Sequence, residues 1–400
     1  MMAKIGPGDA RYYPPEVEQW WLDRVGESDV HTLENLHRNA AVLSDHFTVK
    51  RDKGFPDYFK KPGHLLAYGV YFLPQSWIRA RFPVLELMDF RGWQIPEAAD
   101  GEVFRILDVG SGPGSVGLSL LQLLAVIRPG LRVELTAVDH SPHALEAMRT
   151  CHSQLRDLWP DSSLRTQSKK LQHRSSLFYG GRDRFDLVVI GFSLNEFCSG
   201  METGEVATYL QGAAKDLLKK QGMLLVLEPA LQETSNRLSE LGEVATAEGH
   251  LHYWGPYLHG GKCPLLEAGK YWNHEVRSWR PPDSLEYVNR QMHRRIWELK
   301  SSFLSLSPSP CQLEMPEGAG MFRLVSPVSR MKGHFLMSGV AGDGQVRTYE
   351  LQFRGLDNAH KRAMREMSRG DILEVEGLEE IGGHWRIPGF DAIKRHFGVK

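Results

Sequence analysis

FRILDVGSGPGSV, from Phe104 to Val116, is the stretch on which the fold turns. A short apolar run ends at Asp108 and Val109, glycines follow at positions 110, 112 and 114, and helical spacing resumes from Ser115 to Ile127. A strand that runs into glycines and leaves as a helix is the first half of a βαβ unit, and LRVELTAVD, Leu131 to Asp139, supplies its second strand. The alternation continues downstream. A helix is expected from Pro142 to Leu155, a strand from Phe185 to Gly191, a helix over about Gly204 to Lys220 and a strand from Gly222 to Pro229. Strands separated by helices build a doubly wound, mostly parallel sheet, so the chain reads as α/β.

On either side of this core the pattern changes. From Pro15 to about Leu87 apolar residues recur at helical spacing, with Trp20, Trp21 and Val25, then Leu65, Leu66, Val70 and Tyr71; Pro74 is placed to open a helix running to Arg81. After the core, a helix is expected from Glu233 to Ala247 and another from Ser284 to Leu304, and the Pro- and Ser-rich stretch Ser307 to Gly320 marks a boundary. Beyond it, short alternating runs joined by AGDG and IGG turns, with one helix at Ala359 to Met367, predict a small, OB-like β-barrel. The expected units are residues 1–100, a helical N-terminal region; 101–306, the α/β domain with an insert at about 248–282; and 320–400, the barrel.

With 400 residues, 42% hydrophobic and 24% charged, the chain is long enough for two or three cores and too apolar for disorder. Lys and Arg (48) nearly balance Asp and Glu (49), so no whole-molecule field draws it to nucleic acid or membrane, and any basic patch is local. Four scattered cysteines make a disulfide framework improbable, and the longest near-apolar run, Val116 to Ile127, is too short to span a bilayer. No apolar signal core follows the first residues. The expectation is a cytoplasmic protein without membrane contact.

Asp108, Gly110, Ser111, Gly112, Pro113 and Gly114 lie between strand and helix, where glycines let a ligand approach the backbone at the carboxyl edge of the sheet. An acid two residues before the first glycine resembles the loop with which S-adenosylmethionine-dependent methyltransferases hold the amino and carboxylate groups of their cofactor. Asp139, followed by His140, ends the second strand, where an acid accepts hydrogen bonds from both ribose hydroxyls. A dinucleotide is the competing reading, because Gly112, Gly114 and Gly117 also satisfy G-x-G-x-x-G and Asp139 follows Gly117 by 22 residues. Against it, dinucleotide glycines begin directly after the strand, whereas Asp108, Gly110 and Ser111 intervene here and Pro113 stiffens the loop.

The strand ending at Gly191 runs into GFSLNEF, which sets Ser193, Asn195 and Glu196 at the same edge, facing the methyl donor. Asn195 and Glu196 are the candidates to bind or orient a substrate, with a helix cap and a solvated acid as the plain alternative. Positioning supplies much of the rate of methyl transfer, so the lack of an obvious base is no objection. Cys198 reads as packing. His250, His252, His259, Cys263 and His274 are too irregular and too poor in thiols for zinc, and no metal is expected. Arg290, Arg294 and Arg295 read either as phosphate contacts on one helix or as a solvated face.

The order of motifs resembles the methyltransferase-like proteins associated with the small ribosomal subunit of mitochondria and bacteria. The resemblance covers about residues 65 to 400: HLLAYGVYFLPQSW before the core; ILDVGSGPGS, FDLVVIGFSLNEF and LVLEPA within it; and GPYLHGGKCPL, YWNHEVRSW, GHFLMSG and AHKRAMREMSRGDILEV after it. It implies an S-adenosylmethionine-dependent enzyme acting on the small ribosomal subunit or its RNA. The alternatives are an assembly factor that binds the cofactor without transferring, and a small-molecule methyltransferase. Members that carry an iron–sulfur cluster place cysteines at positions matching Tyr257, Cys263, Asn273 and about Ser338, of which only Cys263 is a cysteine here. One thiolate cannot hold such a cluster. No cluster is therefore expected, and Tyr257, His259, Asn273 and His274 are expected to form a polar network in its place.

Overall fold

The computed structural model describes residues 5–28, 30–48, 56–169, 183–260, 262–268, 271–313 and 318–398. It begins with helices α1 (Pro15–Gly26), α2 (Leu36–Thr48), α3 (Pro62–Ala67) and α4 (Leu73–Asp89). Between α3 and α4 the helix does not stop but widens into one π turn, Tyr68–Phe72, in which the Leu73 N–H reaches back five residues to the Tyr68 carbonyl. Pro74 explains the widening, since it has no N–H to offer Val70. The helix then passes through Pro83 and continues to Asp89, beyond the expected end at Arg81. Phe82, Pro83, Val84 and Leu87 are all buried, and their packing holds the turn that proline deprives of one hydrogen bond.

The α/β core follows in the expected order. Its elements are β1 (Val103–Val109), α5 (Gly117–Ile127), β2 (Arg132–Asp139), α6 (Pro142–Gln154), β3 (Ser162–Ser168), β4 (Phe185–Gly191), a single turn α7 (Leu194–Phe197), α8 (Thr203–Leu217), β5 (Leu218–Pro229) and α9 (Gln232–Thr246). Then come β6 (His252–Gly255), α10 (Pro264–Ala268), β7 (Glu275–Ser278), α11 (Asp283–Gln291) and β8 (Glu298–Ser307). The sheet runs β3-β2-β1-β4-β5-β8, parallel through β5 and antiparallel at β8. The doubly wound, mostly parallel sheet is therefore present, with all strands from β3 to β5 ending at one edge.

Two elements correct the sequence reading. The helix expected over Ser284 to Leu304 ends at Gln291, and its second half is the strand β8, buried almost throughout because it sits between β5 and the edge strands. Its leucines and Phe303 share the strand with small serines at 301, 302, 305 and 307, and serine spacing hides the period of two. β3 gives no apolar signal at all, being the polar edge strand SSLRTQS.

β6 and β7 occupy successive stretches of the same side of β8. His252 pairs with Ser307 and Gly255 with Ser305, and the ladder resumes with Glu275 opposite Ser301. β6 ends at Gly255 and β7 begins at Glu275, so the interruption of this edge strand falls within the insert expected at about 248–282.

The last segment forms a second sheet from β9 (Met321–Leu324), β10 (Ser329–Arg330), β11 (His334–Ala341), β12 (Val346–Gln352), α12 (Asn358–Glu366), β13 (Ile372–Val375), β14 (Glu379–Ile381), β15 (His384–Ile387) and β16 (Ile393–Phe397). Strand pairing runs β14-β15-β12-β11-β9-β13-β16 and does not close, so the expected barrel is an open sheet among the described residues. The strand that closure would require, β16, is engaged elsewhere: the His396 ring meets Phe90 at the end of α4 at 5.6 Å, and the Phe397 ring lies 5.5 Å from the Arg277 guanidinium.

A buried chain of charges joins the three regions. Arg323 on β9 bridges Glu86 of α4 at 2.9 Å and Glu275 of β7 at 2.6 Å, and Arg277 reaches Asp371 at 2.6 Å. Asp371 also takes Arg395 at 2.5 Å, while Arg91 closes on Glu86 at 2.8 Å. The Arg369–Asp371 segment quoted above is the clasp between sheet and insert: the Arg369 carbonyl accepts from the Val276 N–H at 3.0 Å, and the Arg369 Nε donates to the His274 carbonyl at 3.0 Å. Among the described residues, no helix is long and apolar enough to cross a membrane.

Candidate functional site

At the carboxyl edge, β1 delivers Asp108 into the turn toward α5. Asp108 is buried, its Oδ2 accepts from the Gly117 N–H at 2.8 Å, and its Oδ1 has no partner. Burial first, then the neighbouring Asp139, push its pKa up to about 7 against the pull of the Gly117 hydrogen bond. Gly110 and Ser111 both donate their N–H to the Val138 carbonyl, at 2.8 and 3.1 Å, so the loop is stitched to the end of β2. Gly110 and Gly114 have φ of +70° and +95°, and a Cβ at Gly110 would stand 2.3 Å from the Ser193 Oγ. Gly112, at φ +52°, is different: its open side meets nothing nearer than Phe59 at 3.8 Å. That is the side from which a ligand can reach the backbone.

Asp139 is clamped by the same loop. Its Oδ2 accepts from the Gly112 N–H and its Oδ1 from the Ser141 N–H, both at 2.8 Å. Two accepted bonds leave a carboxylate with capacity for two more. Burial raises its pKa, while the Ser141 hydrogen bond, His140 and the Gly112 hydrogen bond pull down and Asp57 pushes up. His140 Nδ1 lies 3.5 Å from Asp139, and its Nε2 is buried without a hydrogen bond.

From the other side, β4 ends at Gly191 and Phe192 turns through a left-handed φ of 63° into α7. Ser193 Oγ donates to the Val109 carbonyl at 2.9 Å, locking this corner against the glycine loop. The Asn195 N–H donates to Glu228 Oε1 at 3.1 Å, and the Asn195 amide nitrogen donates to Glu228 Oε2. Glu228, buried at the end of β5, is a site residue missed in the sequence, although it lies inside the quoted LVLEPA. Glu196 is half-buried and acts on the hydroxyls of Tyr58 and Tyr68.

The structure thus brings together every residue proposed for the site, and it adds a roof. Tyr58 and Phe59 form a short turn capped by Asp57, whose side chain accepts from the Phe59 N–H at 3.1 Å. Phe59 stands 5.1 Å from Tyr68, and Phe47 of α2 packs against Tyr58, Tyr68 and Phe72. Tyr68, on the π turn, comes within 3.4 Å of the Ser115 Oγ. A roof drawn from residues that precede the core by dozens of positions leaves no local mark in the sequence.

The remaining candidates fall elsewhere. Cys198 is fully buried in the apolar core beside α8, and burial pushes its thiol up to about 12. Among the described residues no three His, Cys, Asp or Glu side chains are grouped to hold a metal. In the insert the Tyr257 hydroxyl meets Cys263 Sγ at 2.9 Å and its ring stacks on His259, whereas the His274 ring lies tilted against Trp272 and the Asn273 carbonyl accepts from Ser302. The expected single network is two separate groups, because the Arg369 clasp engages the strand side and the Tyr257 side packs into an apolar cluster with Val325 and Val340. A cavity of about 460 Å³ opens nearby, lined in part by Arg91, His252 and His259, and no residue of the glycine loop reaches it. Arg290 is on α11 while Arg294 and Arg295 lie beyond its end, all three exposed, so the single helical face expected for them does not form.

No protein-family model and no curated protein sequence matches the chain. Solved structures do. Magnesium protoporphyrin IX methyltransferase from Synechocystis PCC 6803, with S-adenosylmethionine bound, is 12% identical over 68% of this chain and 97% of that one, at a TM-score of 0.33. The CMeT domain of the citrinin polyketide synthase is 15% identical over 72% and 68%, at 0.34. Precorrin-6y C5,15-methyltransferase from Geobacter metallireducens is 13% identical over 52% and 82%, at 0.29. Overlaps of this depth leave the functional reading to the geometry of the site itself.

Proposed function

We propose that the chain is an S-adenosylmethionine-dependent methyltransferase whose acceptor, on the resemblance described above, belongs to the small ribosomal subunit or its RNA. The observation that carries the reading is charge. Asp108 and Asp139 are both held by backbone N–H groups where β1 turns into α5, Asp57 acts on Asp139, and Asp108 Oδ1 is a buried acceptor with nothing to accept. A pocket so acidic suits a ligand with a sulfonium and an ammonium against one carboxylate. It disfavours the pyrophosphate of a dinucleotide, which supports the methyl-donor reading over the one that the glycine spacing left open.

In this reading Asp108, Gly110, Ser111, Gly112, Pro113 and Gly114 hold the amino-acid end of the cofactor, with Asp108 Oδ1 taking its ammonium. Asp139, aimed by Gly112 and Ser141, takes the ribose hydroxyls beside His140. When bound, the cofactor supplies an electrophilic methyl group. Ser193 fixes the corner between loop and α7, Asn195 is oriented by Glu228, and Asn195 with Glu196 binds and orients the acceptor. The aromatic roof of Tyr58, Phe59 and Tyr68 excludes water, so that alignment does most of the catalytic work. Near-neutral overall charge leaves RNA contacts to local patches.

One observation favours the assembly-factor reading: the Asn195 amide is already engaged by Glu228. Calorimetry tests what both share. S-adenosylmethionine should bind the wild type at one site, and Asp139→Ala should weaken it by about 10- to 100-fold, the worth of hydrogen bonds to a charged group. Equal affinities would remove Asp139 from the site.

A further inference from the structure

The π turn and α4 carry a second feature close to this site, of opposite sign. Arg79 projects from α4 toward Phe192, with its guanidinium 5.8 Å from the ring, and Phe192 is the residue before Ser193. Its Nε is buried without a hydrogen bond, and its one side-chain partner is Gln75 at a long 3.4 Å. Arg294, arriving after α11, donates to Ser44 of α2 at 3.0 Å. Both guanidinium groups act on the same hydroxyl, that of Tyr71, which itself donates to Asn289 at 3.2 Å. Among the described residues neither Arg79 nor Arg294 forms an ion pair, whereas the deeply buried arginines of the clasp, Arg91, Arg277 and Arg323, all do. Burial without a counter-charge depresses the Arg79 pKa to about 10. A half-buried cation kept without a carboxylate is costly unless an anion arrives from outside.

We propose that Arg79 and Arg294, gathered at the Tyr71 hydroxyl, form an anion subsite that takes a phosphate group of the methyl acceptor. Two planar guanidinium groups offer more donors than a carboxylate can accept, and they suit a tetrahedral oxyanion. The arrangement places acid under the methyl donor and base beside the acceptor. The phosphate can come from an RNA strand or from a free nucleotide, and the subsite rests on the methyltransferase reading only for its role, not for its binding.

The test uses the full chain and four variants, Arg294→Gln, Arg79→Lys, Arg79→Gln and Lys332→Gln, with S-adenosylmethionine binding followed by calorimetry throughout. The probes are inorganic phosphate, adenosine monophosphate and a short single-stranded ribosomal RNA. Arg294→Gln, exposed and safe for folding, should weaken phosphate or RNA binding about tenfold or more. It should also lower the salt slope of RNA binding by about 0.7. Arg79→Lys should retain part of the binding that Arg79→Gln loses, while Lys332→Gln, an exposed cation on the C-terminal sheet, leaves phosphate binding unchanged. Loss confined to RNA identifies a phosphodiester, and equal loss for the monophosphate identifies a free nucleotide; either supports the subsite. Phosphate and RNA binding unaltered in both Arg294→Gln and Arg79→Gln, or absent from a wild type that binds S-adenosylmethionine, would overturn it. A wild type that binds phosphate through these arginines but never S-adenosylmethionine would sustain the subsite and remove the methyltransferase reading.

Discussion

Asp108 carries the sharpest consequences of any single residue. Its pKa of about 7 in the folded chain stands above the ordinary 3.8, so folding favours its protonated form. Below pH 3.8 its burial costs nothing; from there to about 7 the penalty grows, and above 7 it is constant. Asp108→Asn, which keeps an acceptor for Gly117 and removes the charge, should therefore stabilise the chain at pH 8 by on the order of a few kcal/mol and leave it unchanged near pH 4. Thermal melts at the two pH values check this. The same substitution should abolish S-adenosylmethionine binding, because a neutral amide gives an ammonium no charge. In the wild type, affinity should climb about tenfold per pH unit up to about 7 and then level, the sign expected when the ligand selects the carboxylate. Titrations at pH 5.5, 6.5 and 8 decide it, and a flat profile would detach Asp108 from the ligand. Asp108, Gly110, Gly112 and Asp139 were legible in the sequence because strand, glycines and acid lie close along the chain. Glu228, Arg79 and the aromatic roof were not, since each reaches the site from an element whose neighbourhood only the folded chain defines.

Among elements, the four apolar parallel strands declared themselves, while the polar parallel edge strand β3 and the antiparallel β8 did not. β1, β2, β4 and β5 are apolar runs flanked by helices, a pattern no other fold class writes so plainly. β8 spends its buried positions on serines that pair across the sheet and into α9, as Ser235 and Ser302 do at 2.6 Å, so its apolar count stays low. The interrupted edge β6 and β7 is equally hidden, for its continuity exists only against β8. Its Glu275 is the linchpin of the clasp, held below the usual carboxylate range by Arg323 and Arg277 despite full burial. Glu275→Gln should cost about 3 to 5 kcal/mol, because Arg323 and Arg277 then lose a counter-charge they cannot recover from water. Urea denaturation reads the loss. A double substitution, Glu275→Leu with Arg323→Met, should recover much of it, since an apolar pair needs no partner in that place.

At the scale of the whole molecule, the C-terminal sheet is bound into the α/β core more deeply than a boundary at Ser307 to Gly320 suggests. Arg323 is completely buried between Glu86 and Glu275, and Tyr257, Cys263 and Leu265 of the insert share one apolar cluster with Val325 and Val340. A chain ending at residue 318 would leave Glu86 and Glu275 buried without Arg323 and would expose that cluster. Such a truncation should be insoluble or unfolded, which sedimentation and circular dichroism would reveal, and a well-folded fragment would show the clasp to be dispensable. The glycine loop with Asp108 and Asp139 thus lies beneath aromatic residues of the N-terminal region, and its proposed work is methyl transfer. The direct test is to incubate the purified chain with methyl-labelled S-adenosylmethionine and, in parallel, small ribosomal subunits, naked ribosomal RNA and a small-molecule extract, then to separate the products. Label in the ribosomal RNA, absent with Asp108→Asn, is the predicted result; no label in any fraction, from a chain that folds, would contradict it.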